Sequence, residues 1–230
     1  SNLKNEKYIS FSRKDISEES NFECQTIEDI KNSVSDISRR TNDGYLRRYR
    51  LAVATTAEYS GFFLDGTEAN DTERKTKVLA AINTSLTRIN GIFERDFAIT
   101  MELVSNNDLT IFLDPSTDPF NGSFNSELQN TLDNTIGDSN YDVGHLFAYE
   151  GSVRGNAGCI ACVCTTGSKG SGYTIHNAPD SDYFNIIVSH ELGHQFGGYH
   201  VQSSSNCRSS AGLQEVEPGS GSTIMGYAGI

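Results

Sequence analysis

Residues 190–200 read HELGHQFGGYH, a stretch that concentrates three of the five histidines of a 230-residue chain. Its spacing constrains the fold. Residues four apart share a helix face about one turn apart. A helix here therefore sets the imidazoles of His190 and His194 side by side, the arrangement that offers two nitrogens to one tetrahedral zinc. Glu191, about 100° further round the helix, reaches a water on that metal without ligating it. Gly197 lets the helix end in a left-handed turn, so the chain can swing back and deliver His200 as a third ligand. Three protein ligands leave a fourth position for water, the pattern of a catalytic rather than a structural zinc site. The competing reading is ordinary histidines on an amphipathic helix. With the chain's own residue frequencies, H-E-x-x-H-x-x-G-x-x-H arises by chance on the order of 10⁻⁵ times per chain. Asp182 or Ser181 can cap the helix, and Phe184, Ile187, Val188, Leu192 and Phe196 carry it into a core.

The rest of the composition narrows the class. A chain of 230 residues, 36% hydrophobic and 21% charged, builds one sizeable core, or one core with an appendage. No apolar run approaches the roughly 18 residues that a membrane span needs. A net charge of −12 argues against nucleic acid and anionic membrane surfaces as partners. No leader peptide is recognisable at Ser1, as expected if one has already been removed. The cysteines are Cys24, Cys159, Cys162, Cys164 and Cys207. In an oxidising compartment the last four make two disulfides and leave Cys24 over, with three pairings open. Alternatively Cys159, Cys162, Cys164 and Cys207 hold a structural zinc, and the protein is a binding module without turnover.

Along the chain, residues 1–48 read as a polar appendage. Ile27, Ile30, Val34 and Ile37 give one amphipathic helix at 27–37, with Thr26 as its N-cap and Asp29 at N3. SRRTNDGYLRRYR follows, with five of the chain's eleven arginines, and reads as a basic loop open to processing proteases. Residues 49–230 read as a compact domain. RLAVATT, FAITMELV, LTIF and VGHLFAY suit strands, and AGCIACVC a short one. Asp71 caps a helix with the stripe Val78, Ile82, Leu86, Ile89 and Phe93, and Leu128, Leu132 and Ile136 mark another. TTGSKGSGYTIHNAPDS reads as a long loop. The order β-α-β-β-α-β predicts an α/β layer structure. His145 and His176 are expected to be a satisfied strand histidine and a loop histidine.

The extended histidine motif, joined to TIMGY at 223–227, resembles the metzincin zinc endopeptidases, a clan defined by that motif and a downstream methionine turn. Within the clan the chain is most similar to the reprolysin (adamalysin-like) family. VLAAINTSLTRINGIFERDFAITMELV resembles its first helix and second strand, and YDVGHLFAYEGSVRGNAGCIACVC its fourth-strand region and antiparallel edge strand. Val201 stands where reprolysins usually carry Asp, and Ile230 leaves the domain short at its C-terminus.

The resemblance implies a twisted, mostly parallel sheet of about five strands with one antiparallel edge, two long helices, a zinc-binding helix and a Met-turn. It implies a secreted zinc endopeptidase with one catalytic Zn²⁺, whose partners are protein or peptide substrates. Calcium remains an option with no residue assigned to it. Glu191 would be the general base, and Met225 the floor beneath the histidines. Tyr227 resembles the tyrosine that astacins and serralysins place beside zinc to stabilise the tetrahedral intermediate. Ala157, Gly158, Cys159, Ile160 and Ala161 would form the edge strand that receives substrate. Cys162 or Cys164 would be bonded to Cys207. Cys24 would ligate the zinc from a pro-segment over residues 1–48, keeping the enzyme latent until the basic linker is cut.

Overall fold

The computed structural model describes residues 22–27, 44–202, 216–218 and 221–226. Its centre is one six-stranded mixed sheet, of β1 (Glu23–Cys24), β2 (Arg47–Thr55), β3 (Ile99–Leu103), β4 (Val143–Ala148), β5 (Arg154–Asn156) and β6 (Gly172–Ile175). The strand order is β1-β5-β6-β4-β2-β3. β5 alone runs antiparallel to its inner neighbour, β6, and the remaining pairings are parallel. The expected architecture is present, with a sixth strand added at the edge by the N-terminal segment.

Helices cover both faces, so the central strands are apolar on both sides. Leu51 and Val53 of β2 point to one core with Val78, Ile82, Ile89 and Phe93 of α2 (Asp71–Phe97) and Phe184, Val188 and Leu192 of α4 (Asp182–Gln195). Ala52 and Ala54 point to a second core with Leu128 and Leu132 of α3 (Phe124–Thr135). The small side chains on that face let α3 lie close: a Cβ at Gly144 would run into Leu132 and come within 2.8 Å of the Gly170 backbone. A short helix, α1 (Ala57–Phe62), follows β2 directly.

The cap of α2 is Asn70, whose side chain accepts from the Glu73 amide at 3.0 Å, and Asp71 is the first helical residue. LTIF is not a strand. Residues 107–110 form a 3₁₀ turn, because side chains there take over the ladder's role. Asn107 accepts from the Val53 amide at 2.8 Å and donates to its carbonyl at 3.0 Å, and the Thr110 hydroxyl donates to the same carbonyl. Only Ile111 makes a bridge, to Thr55.

The long Gly/Ser-rich segment expected to be a loop contains β6, fully buried between β4 and β5. The edge strand lies earlier than expected, at Arg154–Asn156, and Ala157, Gly158, Cys159, Ile160 and Ala161 form the irregular turn after it. Nor is the second half of the basic stretch a loop. Arg47, Arg48 and Arg50 belong to β2, where Arg50 grips Asp142 with two hydrogen bonds, at 3.1 and 2.7 Å. The helix expected over 27–37, the pair Arg39 and Arg40, Cys207 and Tyr227 lie outside the described residues.

Candidate metal centre

α4 begins at Ser181, whose hydroxyl accepts from the Phe184 amide at 3.1 Å, and it stops where glycine permits. At the end of the helix Gly197 adopts φ 104°, and the Gly198 amide returns to the Gly193 carbonyl at 2.8 Å. That turn brings His200 back over the helix face that carries His190 and His194. All three imidazoles are buried. Their Nε2 atoms form a near-equilateral triangle with edges of 3.1, 3.2 and 3.2 Å.

Hydrogen bonding between the rings cannot account for the edge from His190 to His194. His190 Nδ1 faces the Ile224 carbonyl, and His194 Nδ1 faces the Gly198 carbonyl at 2.8 Å. A carbonyl only accepts, so both Nδ1 atoms carry the proton and both Nε2 atoms of the neutral rings present lone pairs. Burial holds His190 neutral, its pKa pushed down to about 3, with His200 as a second cause. Two Nε2 lone pairs facing one another at 3.2 Å suit a cation between them. Zinc fits: bond lengths of about 2.05 Å in a tetrahedron put the nitrogens about 3.4 Å apart. Cys24 Sγ completes the set, 3.6 Å from His194 Nε2. The corresponding distance for a thiolate and an imidazole on one zinc is also about 3.6 Å. The four ligand atoms all lie within 4.8 Å of one another.

Glu191 is fully buried beside this cluster. Desolvation raises its carboxyl pKa to about 8, against the lowering effect of hydrogen bonds from Thr26 and Cys24. Its Oε2 accepts from the Thr26 hydroxyl at 3.0 Å, and its Oε1 has no partner among the described residues. Gly155 of β5 leaves the space it occupies, since a Cβ there would fall on the Glu191 carboxyl. Burial, and then the charge of Glu191, push the Cys24 thiol well above its ordinary value when no cation is present. A bound metal reverses that direction.

Below the histidines, the buried Met225 packs between Gly193 and Gly198. The model described as Metallo-peptidase family M12B Reprolysin-like matches residues 46–230. The chain belongs to this reprolysin-like family. No curated protein sequence matches it at a significant level.

As a reprolysin-like chain it carries the expected residues together: His190, His194, His200, Glu191, Met225 and Cys24 meet at one place. The disulfide differs from expectation. Cys159 is bonded to Cys162 and Cys164 is a free thiol, so neither Cys162 nor Cys164 is the partner of Cys207. The i, i+3 bond closes within one turn of chain, and it removes two of the four ligands that a cysteine-based structural zinc would need. His145 is the satisfied strand histidine expected of it, with Gln195 Oε1 at 3.1 Å and the Thr174 hydroxyl at 2.9 Å.

The sequence offers Thr26 as a helix cap. Its hydroxyl instead serves the site, donating to Glu191 and accepting from the Ala157 amide at 2.7 Å. The signal was present in the sequence. On a strand, Cys24 and Thr26, two apart, share a face, so a strand that turns the thiol to the histidines turns the hydroxyl there too.

Proposed function

We propose that this protein is a secreted zinc endopeptidase in a latent form, inhibited by its own N-terminal segment. The observation that carries the reading is the triangle of Nε2 atoms, two of them fixed as lone-pair donors, beside a buried carboxyl with one oxygen unpartnered. His190, His194 and His200 would hold the metal, with Cys24 as the fourth ligand. Zinc, when bound, supplies a Lewis acid for a peptide carbonyl and lowers the pKa of water. Glu191 takes the water proton and passes it to the leaving amine. An extended peptide pairs with the edge of β5 by strand addition. The Cys159–Cys162 bond accords with an oxidising, extracellular setting.

Removal of the N-terminal segment should release casein cleavage that a chelator abolishes. In that processed form Glu191→Ala should keep one zinc per chain and lose about 10²–10⁴-fold in rate. Undiminished cleavage by the variant, or a purified protein without zinc, overturns the reading.

A further inference from the structure

The N-terminal segment touches more of the site than the metal position. The Gln25 amide donates to the Gly155 carbonyl at 2.8 Å, and Asn156 Nδ2 donates to the Gln25 carbonyl at 3.0 Å. Gln25 Oε1 accepts from the Tyr173 hydroxyl at 2.6 Å. At Thr26 the main-chain ladder ends and a side chain replaces it. The Ala157 amide, next along the edge of β5, donates to the Thr26 hydroxyl rather than to a carbonyl, and that hydroxyl donates a hydrogen bond to Glu191 Oε2. Thr26 is buried, so neither bond is shared with bulk water.

We propose that Glu191 and the Ala157 amide, together with the edge of β5, form a recognition site for a Cys-x-Thr strand, and that Thr26 is its second anchor, independent of the metal. Cys24 occupies the position of the metal's fourth ligand, while Thr26 occupies the carboxylate and the amide that continues the substrate edge. Cys24 ends β1 and Thr26 lies two residues further on, both in contact with Glu191, so a single segment disables both halves of the chemistry. This rests on the cleft being the active site proposed above. It adds that the segment stays bound when no metal is present to hold the thiol. Valine matches threonine in shape but removes both hydrogen bonds of the buried hydroxyl, a loss that is costly away from water. Serine keeps both bonds.

The test is alkylation of Cys24 by iodoacetamide in the full chain stripped of metal with a chelator, followed residue by residue by peptide mapping, because Cys164 is also a free thiol. Thr26→Val should alkylate at Cys24 at least about tenfold faster than the wild type, and Thr26→Ser within about threefold of it. A wild-type rate in Thr26→Val overturns the proposal. A measurement free of variants accompanies it. The Ala157 amide of the metal-free wild-type chain should be protected from hydrogen exchange, and should exchange at least about tenfold faster once the N-terminal segment is cut away. An unprotected Ala157 in the intact chain also overturns it. If both results hold but the processed protein cleaves nothing, the peptidase reading fails and the recognition site stands. If cleavage appears but Thr26→Val behaves as wild type, the reverse is true.

Discussion

Position 193, one of the two that H-E-x-x-H leaves unspecified, becomes decisive, because the helix packs against Met225 there. Helix propensity alone favours alanine over glycine by about 1 kcal/mol. Packing opposes it: a Cβ on Gly193 would fall on the Met225 sulfur, and one on Gly198 would come within 3.2 Å of the Met225 methyl carbon. Overpacking a closed site costs about 1–3 kcal/mol, so packing decides the sign. Gly193→Ala should lower the melting temperature and release zinc to a competing chelator faster than the wild type. Met225→Leu, which conserves volume, should do neither to a comparable degree. A Gly193→Ala variant as stable as the wild type would mean that Met225 is not seated against the helix.

Among the elements, those with long apolar periods were legible in the sequence. The stripe Val78, Ile82, Leu86, Ile89 and Phe93 lies on α2 as expected, and HELGH ends α4 at the glycine turn. What stayed hidden depends on distant partners. β6 is four residues flanked by glycine and serine, and it is a strand only because β4 and β5 lie on either side. LTIF carries strand residues, yet Asn107 satisfies the Val53 backbone before a strand can. β1 is two residues long and has no local signal beyond Cys24 and Thr26. Its register comes from β5, 131 positions later. His145 ties three of these elements together, joining β4 to Thr174 of β6 and Gln195 of α4. Its pKa is pushed down by burial, from 6.5 to about 4. Between those values the unfolded chain binds a proton that the folded chain refuses, so stability falls as pH falls through this window. The total is on the order of 3 kcal/mol. Urea melts at pH 7 and pH 4.5 should therefore show a steeper loss in the wild type than in His145→Gln. Equal losses would mean that His145 takes up its proton in the folded state.

For the whole molecule, the sheet is closed at one end by a strand on a separate stretch of chain. Residues 28–43 connect it to the domain, and β2 takes over from Arg47, with Arg47 to Leu51 paired to β3. Proteases need unpaired chain, so the arginines of β2 are poor targets and a releasing cut falls before them. β1 contributes two residues to the pairing. A few main-chain hydrogen bonds at about 0.5–1.5 kcal/mol each are little to hold a free peptide, though ample for one tethered at an effective concentration near the mM range. On the latent reading proposed above, cutting the connection changes the molecularity of inhibition. Dilution then becomes the activating variable. Freshly nicked protein kept concentrated should regain activity slowly and incompletely. The same sample diluted about a hundredfold should reach full specific activity quickly, because the severed segment no longer meets its site often enough to return. Stopped-flow dilution into a quenched peptide substrate reads this directly, and a specific activity independent of dilution would mean that the segment leaves for good at the moment it is cut.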